Sequence, residues 1–241
     1  MENGFIKTRK NSSLLETNTK YRSLVGALLY IAVCARPDIA ASVSILGRSV
    51  CSPTEADWVA AKRVIRYLKG TKKWKLQYGD PEGKLTGYSD ADWAGDLKTR
   101  KSTTGVVYMY AEGAISWTSR LQDFVTLSSM ESEYVALSEA SQEAVWLLNI
   151  FEDFGEPSFK PVTLREDNQS CIKFVSSERA MKRSRHIETR QCYVKELCDV
   201  KLLELLYCPT EDMVADILTK ALGHIKLRKF AGMLGSTVED R

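Results

Sequence analysis

Apolar residues recur at helical spacing in the first third of the chain and in short strand-like runs after residue 84. Leu24, Leu28 and Ile31 begin the helical pattern, and Arg36-Pro37-Asp38 interrupts it. Pro37 suits the first turn of a second helix running to about residue 50. A third start is marked by Ser52 as N-cap, Pro53 at the first helical position and Glu55 as the box partner. That helix carries Trp58, Ala61, Ile65 and Leu68 on one face and Lys62, Arg66, Lys69 and Lys73 on another. The basic stripe can follow a phosphate backbone or simply solvate an outer face.

The turn cluster Gly79-Asp80-Pro81-Glu82-Gly83 changes the style of the sequence. Residues 85–90, 105–110 and 114–118 are strand-like, the last two joined by the turn Ala111-Glu112-Gly113, and 124–127 extend this hairpin region. A long helix starts at Ser128, with Glu131 completing a capping box and Tyr134, Leu137, Ala144, Leu148 and Phe151 as its apolar stripe. Gly155 and Pro157 end it. A strand at 162–165, a helix from Gln169, a basic helix at 184–198, a strand at 201–207 and a helix capped by Thr210 over 211–222 follow. Strands mixed with helices in this order predict an α/β sheet with helices packed on it. The expected division is a flexible leader over 1–20, a small helical segment over 21–80, the α/β domain over 81–222, and a C-terminal helix and tail over 223–241.

Composition narrows the class without choosing a function. Hydrophobic residues make up 44% and charged residues 27%, which excludes disordered and collagen-like chains. The longest apolar run, residues 24–35, falls short of the ~20 needed to cross a bilayer, so no membrane partner is expected. The polar N-terminus has no secretory h-region, and the six cysteines are scattered without a C-x-x-C pair. Both point to reduced thiols in an intracellular, cytoplasmic setting, with a virus-like particle or the nucleus as alternatives. The net charge of +3 conceals an asymmetry, because residues 1–80 hold 14 Lys and Arg against 6 Asp and Glu. A basic third joined to an acidic remainder suggests one unit that meets a polyanion.

Four carboxylates occupy places where chemistry could gather. Asp90 ends the first strand of the α/β part, Glu133 lies early in the long helix, Asp167 ends the fourth strand, and Asp216 sits on the C-terminal helix beside the core residues Ile217 and Leu218. Converging carboxylates suit Mg²⁺, and paired cations serve phosphodiester hydrolysis, but a chain with 31 acidic residues supplies such quartets by chance as well.

A set of ordered motifs weights that choice. The run GYSDADWAGD at 87–96 is followed by RKSTTG at 100–105, SWTSRLQ at 116–122, SSMESEYVAL at 128–137, EDNQSCI at 166–172, RHIETR at 185–190 and ADILTK at 215–220. Together they resemble the ribonuclease H domain of copia-type LTR retrotransposon Pol polyproteins. Upstream, YRSLVGALLY at 21–30, RPDIA at 36–40 and RYLKGT at 66–71 are similar to the thumb-like end of that family's reverse transcriptase.

The resemblance implies a ribonuclease H-like mixed five-stranded sheet with flanking helices, preceded by a small helical thumb-like segment. It implies cleavage of the RNA strand of RNA/DNA hybrids with two Mg²⁺ ions, Mn²⁺ being an alternative. It makes Asp90, Glu133, Asp167 and Asp216 the catalytic metal ligands, with Asp92 a rival for the first position and Glu166 a neighbouring or solvated charge. The nucleic acid would lie on Lys62, Arg66, Lys69 and Lys73 and on a second cluster that includes Arg183, Arg185, His186 and Arg190. No Tyr-x-Asp-Asp motif occurs, so polymerisation would need palm and fingers from a full polyprotein, and some apolar surface of residues 21–70 would stay uncovered. A repurposed chain that binds nucleic acid without cutting it is the alternative.

Overall fold

The structure, a computed structural model, describes residues 9–79, 83–156, 159–177 and 185–238. Three helices open it: α1 (Thr19–Cys34), α2 (Ala40–Gly47), which continues a 3₁₀ turn at Pro37–Ile39, and α3 (Glu55–Gly70). They enclose their own core of Tyr21, Val25, Leu28, Ile39, Val43, Leu46, Ala61 and Val64. The α3 start lies two residues beyond its expected place. Thr54, not Ser52, is the N-cap: its hydroxyl accepts from Asp57 N while the Asp57 carboxylate accepts from Thr54 N. The buried face of α3 is correspondingly Ala60, Ala61 and Val64, and Ile65 is exposed. Leu29, Tyr30 and Val33 of α1 are also exposed, an apolar patch of the kind expected.

The second unit is a five-stranded sheet built from β2 (Thr86–Asp92), β3 (Thr103–Tyr110), β4 (Gly113–Leu121), β5 (Val162–Glu166) and β6 (Leu203–Tyr207). Its order is β4-β3-β2-β5-β6, with β2, β3 and β4 antiparallel and β5 and β6 parallel to β2. This is the mixed five-stranded sheet that the motifs imply. Both faces are covered, so β3 shows a continuous buried run in which Val106 and Tyr108 face one core and Val107 the other. On the first face lie α4 (Ser129–Asp153), α5 (Gln169–Val175) and α6 (Arg185–Asp199). Met213, Val214, Ile217, Leu218 and Phe230 cover the other.

Three expectations need correction. Residues 124–127 form no strand. The helix expected over 211–222 shrinks to α7 (Asp216–Thr219), because Thr210 to Asp212 form a turn closed by Asp212 N donating to Pro209 O. Lastly, Trp74–Leu76 (β1) pairs with Ser236–Val238 (β7), a two-stranded ribbon whose second strand follows α8 (His224–Met233) and which ties the segment after α3 to the C-terminal end of the described chain. Three-residue strands arise from this long-range pairing and leave no periodic trace in the sequence.

Candidate active site

The parallel pairing of β2 with β5 sets Tyr88 beside Arg165, and two residues further on in the same register stand Asp90 and Asp167. Glu133 comes from the opening turns of α4, whose start is fixed by the Ser128 hydroxyl accepting from Glu131 N. Glu131 reaches back one residue further than a capping box requires, accepting from Leu127 N, and so belongs to the helix start. Carboxylate oxygens of Asp90, Glu133 and Asp167 all lie within 4.8 Å of one another. Among the described residues, this is the group placed to hold a metal ion. Glu133 Oε2 is buried without a hydrogen-bond partner, a costly state that a cation would relieve. An all-carboxylate set suits a hard divalent cation.

Burial dominates the electrostatics. It pushes the Asp90 carboxyl up to about 7; Lys220 and a hydrogen bond from Thr219 pull the other way, and Asp216 adds to the rise. Glu133 is raised further, first by burial and then by Glu166 and Asp90 nearby. Glu166 is neither solvated nor peripheral. It is fully buried, accepts from Ser89 Oγ at 2.9 Å and from Asn168 N at 3.1 Å, and its carboxyl is held well above the usual range by that burial.

Asp216 is buried beside this group but outside it, ion-paired to Lys220 at 2.6 Å and to Lys226 at 2.7 Å. Lys220 also lies 3.8 Å from Asp90. Asp92 stands apart from the triad; burial raises its carboxyl, with Lys220 and Arg48 opposing.

Two site residues escaped sequence reasoning. Thr210, expected to cap a helix, donates its hydroxyl to Asp167 Oδ2 at 2.7 Å, and Thr219 donates to Asp90 Oδ2. The Thr219 signal was its adjacency to Asp216 within the ADILTK run; Thr210 had none, because the Thr210–Asp167 pairing spans 43 positions.

The basic residues divide. Lys62, Arg66, Lys69 and Lys73 are all exposed, but α3 ends at Gly70, so Lys73 lies in the turn beyond it and not on the helix as expected; the Lys62 ammonium lies 5.4 Å over the Trp58 ring. Arg190 turns partly inward, with one guanidinium nitrogen buried and unpartnered, so it is not the free surface cation expected. Arg183 lies outside the described residues, as do the side chains of Arg185 and His186 at the start of α6.

No family model matches the chain. It is 38% identical over 215 residues, 89% of its length, to the retrovirus-related Pol polyprotein from transposon TNT 1-94 of Nicotiana tabacum, of which it spans 16%. It is 50% identical over 131 residues to secreted RxLR effector protein 161 of Plasmopara viticola, covering 54% of this chain and 92% of that one. Among solved structures, the foamy viral protease-reverse transcriptase in complex with dsDNA superposes with a TM-score of 0.52 at 14% identity, over 87% of this chain and 42% of that one. That likeness concerns the fold alone.

Proposed function

Because the chain belongs to the retrovirus-related Pol polyproteins of copia-type transposons, we propose that it is the ribonuclease H part of such a polyprotein, an endoribonuclease that cuts the RNA strand of RNA/DNA hybrids. One observation carries the reading: carboxylates from three separate elements, Asp90, Glu133 and Asp167, converge within 4.8 Å with an unpartnered buried oxygen among them.

Asp90, Glu133 and Asp167 would hold Mg²⁺, and Asp216 would complete a two-ion site. When bound, such ions supply Lewis-acid activation of water and neutralise charge at the leaving oxygen. The residues do the positioning. Thr219 fixes the Asp90 carboxylate and Thr210 that of Asp167, so both present their remaining oxygens in set directions. Glu166 keeps a second buried carboxyl against Glu133. The exposed stripe Lys62, Arg66, Lys69 and Lys73 would track the phosphates of the hybrid, and discrimination for RNA would come from contacts to the 2′-hydroxyl. We place the activity inside the cell, with palm and fingers supplied by the rest of the polyprotein.

The test is cleavage of an end-labelled hybrid by the wild type and by Asp90→Asn, each with Mg²⁺ and with EDTA. Cutting that needs Mg²⁺ and disappears in the variant is expected. An intact hybrid under conditions where a known ribonuclease H cuts it would sink the proposal. Retained hybrid binding without cutting would favour the second reading, a binding module. That reading draws on the two lysines that occupy Asp216 and on the similarity to a short protein named as an effector.

A further inference from the structure

Both carboxylate oxygens of Asp216 face ammonium groups: Lys220 Nζ stands 2.6 Å from Oδ1 as an ion pair without an aligned hydrogen bond, and Lys226 donates to Oδ2 at 2.7 Å. Only Lys220 also faces Asp90, whose Oδ2 lies 3.8 Å from its Nζ and accepts the hydroxyl of the adjacent Thr219. Lys220 therefore spans the gap between the triad and the fourth acid. An ammonium and a hard divalent ion compete for the same oxygen lone pairs.

We propose that Lys220 is a built-in cation standing at the Asp90–Asp216 pair, and that a second divalent ion binds there only by displacing it. The inference rests on the hydrolase reading given above. Charge balance supports the exchange. One divalent ion with Lys220 and Lys226 matches the four carboxylates Asp90, Glu133, Asp167 and Asp216, whereas a second ion beside both ammoniums leaves an excess of two positive charges, which withdrawal of one ammonium halves. Lys226 touches Asp216 on its other oxygen and can stay, so Asp216 is never stripped of a partner while buried.

Lys220 has somewhere to go. Its side chain is 38% exposed and lines a cavity of about 430 Å³ between α2, α3 and the 217–227 segment. Ser42, Tyr67 and Gly223 also line this space, which is large enough for the swung side chain.

The experiment counts Mn²⁺ bound to the full chain, by the electron paramagnetic resonance of free ion and by calorimetry. The wild type is expected to bind one ion and a second at least tenfold more weakly. Lys220→Gln should strengthen the second site at least tenfold and leave the first unchanged. Lys220→Arg, which keeps the cation, should behave as wild type. Lys226→Gln removes a charge from the same carboxylate without clearing the gap and should strengthen the second site less than threefold. Equal effects of Lys220→Gln and Lys226→Gln, or no effect of Lys220→Gln, would overturn the proposal.

If Lys220→Gln does not fold, ¹³C-methylated lysines in the wild type provide the readout. The Lys220 signal, assigned by its loss in Lys220→Arg, should shift only as the second equivalent of Mg²⁺ binds, and a signal unmoved through both equivalents would overturn it. The hydrolase reading fails separately: it falls if wild type and Asp90→Asn bind the same number of ions.

Discussion

Gly105 stands directly opposite Asp90 in the antiparallel ladder, and it leaves room there for α7. A methyl group at 105 would lie 2.6 Å from Thr219 Cγ2, 2.9 Å from Leu218 Cβ and 3.0 Å from the Ala215 carbonyl oxygen. The close approach brings Thr219 and Asp216 beside Asp90, so the absence of one side chain shapes the site. Gly105→Ala is expected to cost about 1–3 kcal/mol by overpacking. At about 2–4 °C per kcal/mol for a chain of this size, calorimetry should show the melting temperature falling. Mn²⁺ affinity should fall with it, since α7 must move away from the sheet. A variant that melts lower yet binds Mn²⁺ as wild type would show that α7 does not position the site.

The helical segment and the sheet are joined at specific atoms. Trp117 of β4 donates its indole N–H to the Ala32 carbonyl at the end of α1, at 2.8 Å, satisfying one of the orphan acceptors of that helix. Arg48, just after α2, donates to Thr103 Oγ1 and pairs with Asp96. Trp117→Phe should lower stability by about 1 kcal/mol in a denaturant titration. The piece 81–241 should unfold at lower denaturant than the full chain, having lost these bonds and the β1–β7 ribbon. Equal midpoints for the two would mean that residues 1–80 contribute nothing to the sheet's stability.

The sequence disclosed elements where one short-range rule governed them. The α4 start at Ser128 is a local cap, and the strands around Val106 and Ser116 flank the turn Ala111-Glu112-Gly113. What stayed hidden depends on contacts distant in sequence. The face of α3 is decided by what α1 and α2 present to it, which is why Ala60 and Val64 are buried and Ile65 is not. The acidic residues were found by matching motifs, but their grouping required the β2–β5 register, and the pairing of Lys220 with Asp90 joins residues from opposite ends of the α/β unit. Between a charge neighbouring the site and a solvated one, the sequence could not choose for Glu166, because its partners, Ser89 and Glu133, come from other elements.

If the basic residues of α3, with Lys73 just beyond its end, follow the hybrid, their loss should appear in salt dependence more than in chemistry. Each phosphate contact removed should reduce the slope of log affinity against log salt by about 0.7–0.9. Replacing Lys62, Arg66, Lys69 and Lys73 with Ala should therefore flatten the slope stepwise and weaken binding across hybrid sequences alike. Cleavage at saturating hybrid should persist, because none of the four is among the Asp90 group. Anisotropy titrations between 50 and 200 mM salt measure this, and an unchanged slope in the quadruple variant would remove the stripe from the binding surface.

Stability without divalent ions should fall as pH rises. Asp90 and Glu133 are held above their ordinary values in the folded chain, chiefly by burial, so the native state binds protons that the unfolded state releases. The sign follows directly: the unfolded chain carries fewer bound protons, and folding stability decreases with pH across the interval between the two values. For Asp90 that interval runs from the ordinary 3.8 up to about 7. The melting temperature in EDTA should accordingly drop between about pH 5 and pH 8. Asp90→Asn should flatten the drop, because an amide at that position has no proton to release. Mn²⁺ should raise the melting temperature more at pH 8 than at pH 5, since it binds the carboxylates that pH has ionised. Differential scanning calorimetry across this range decides the matter, and a melting temperature that climbs with pH in EDTA would contradict the raised values of these buried acids.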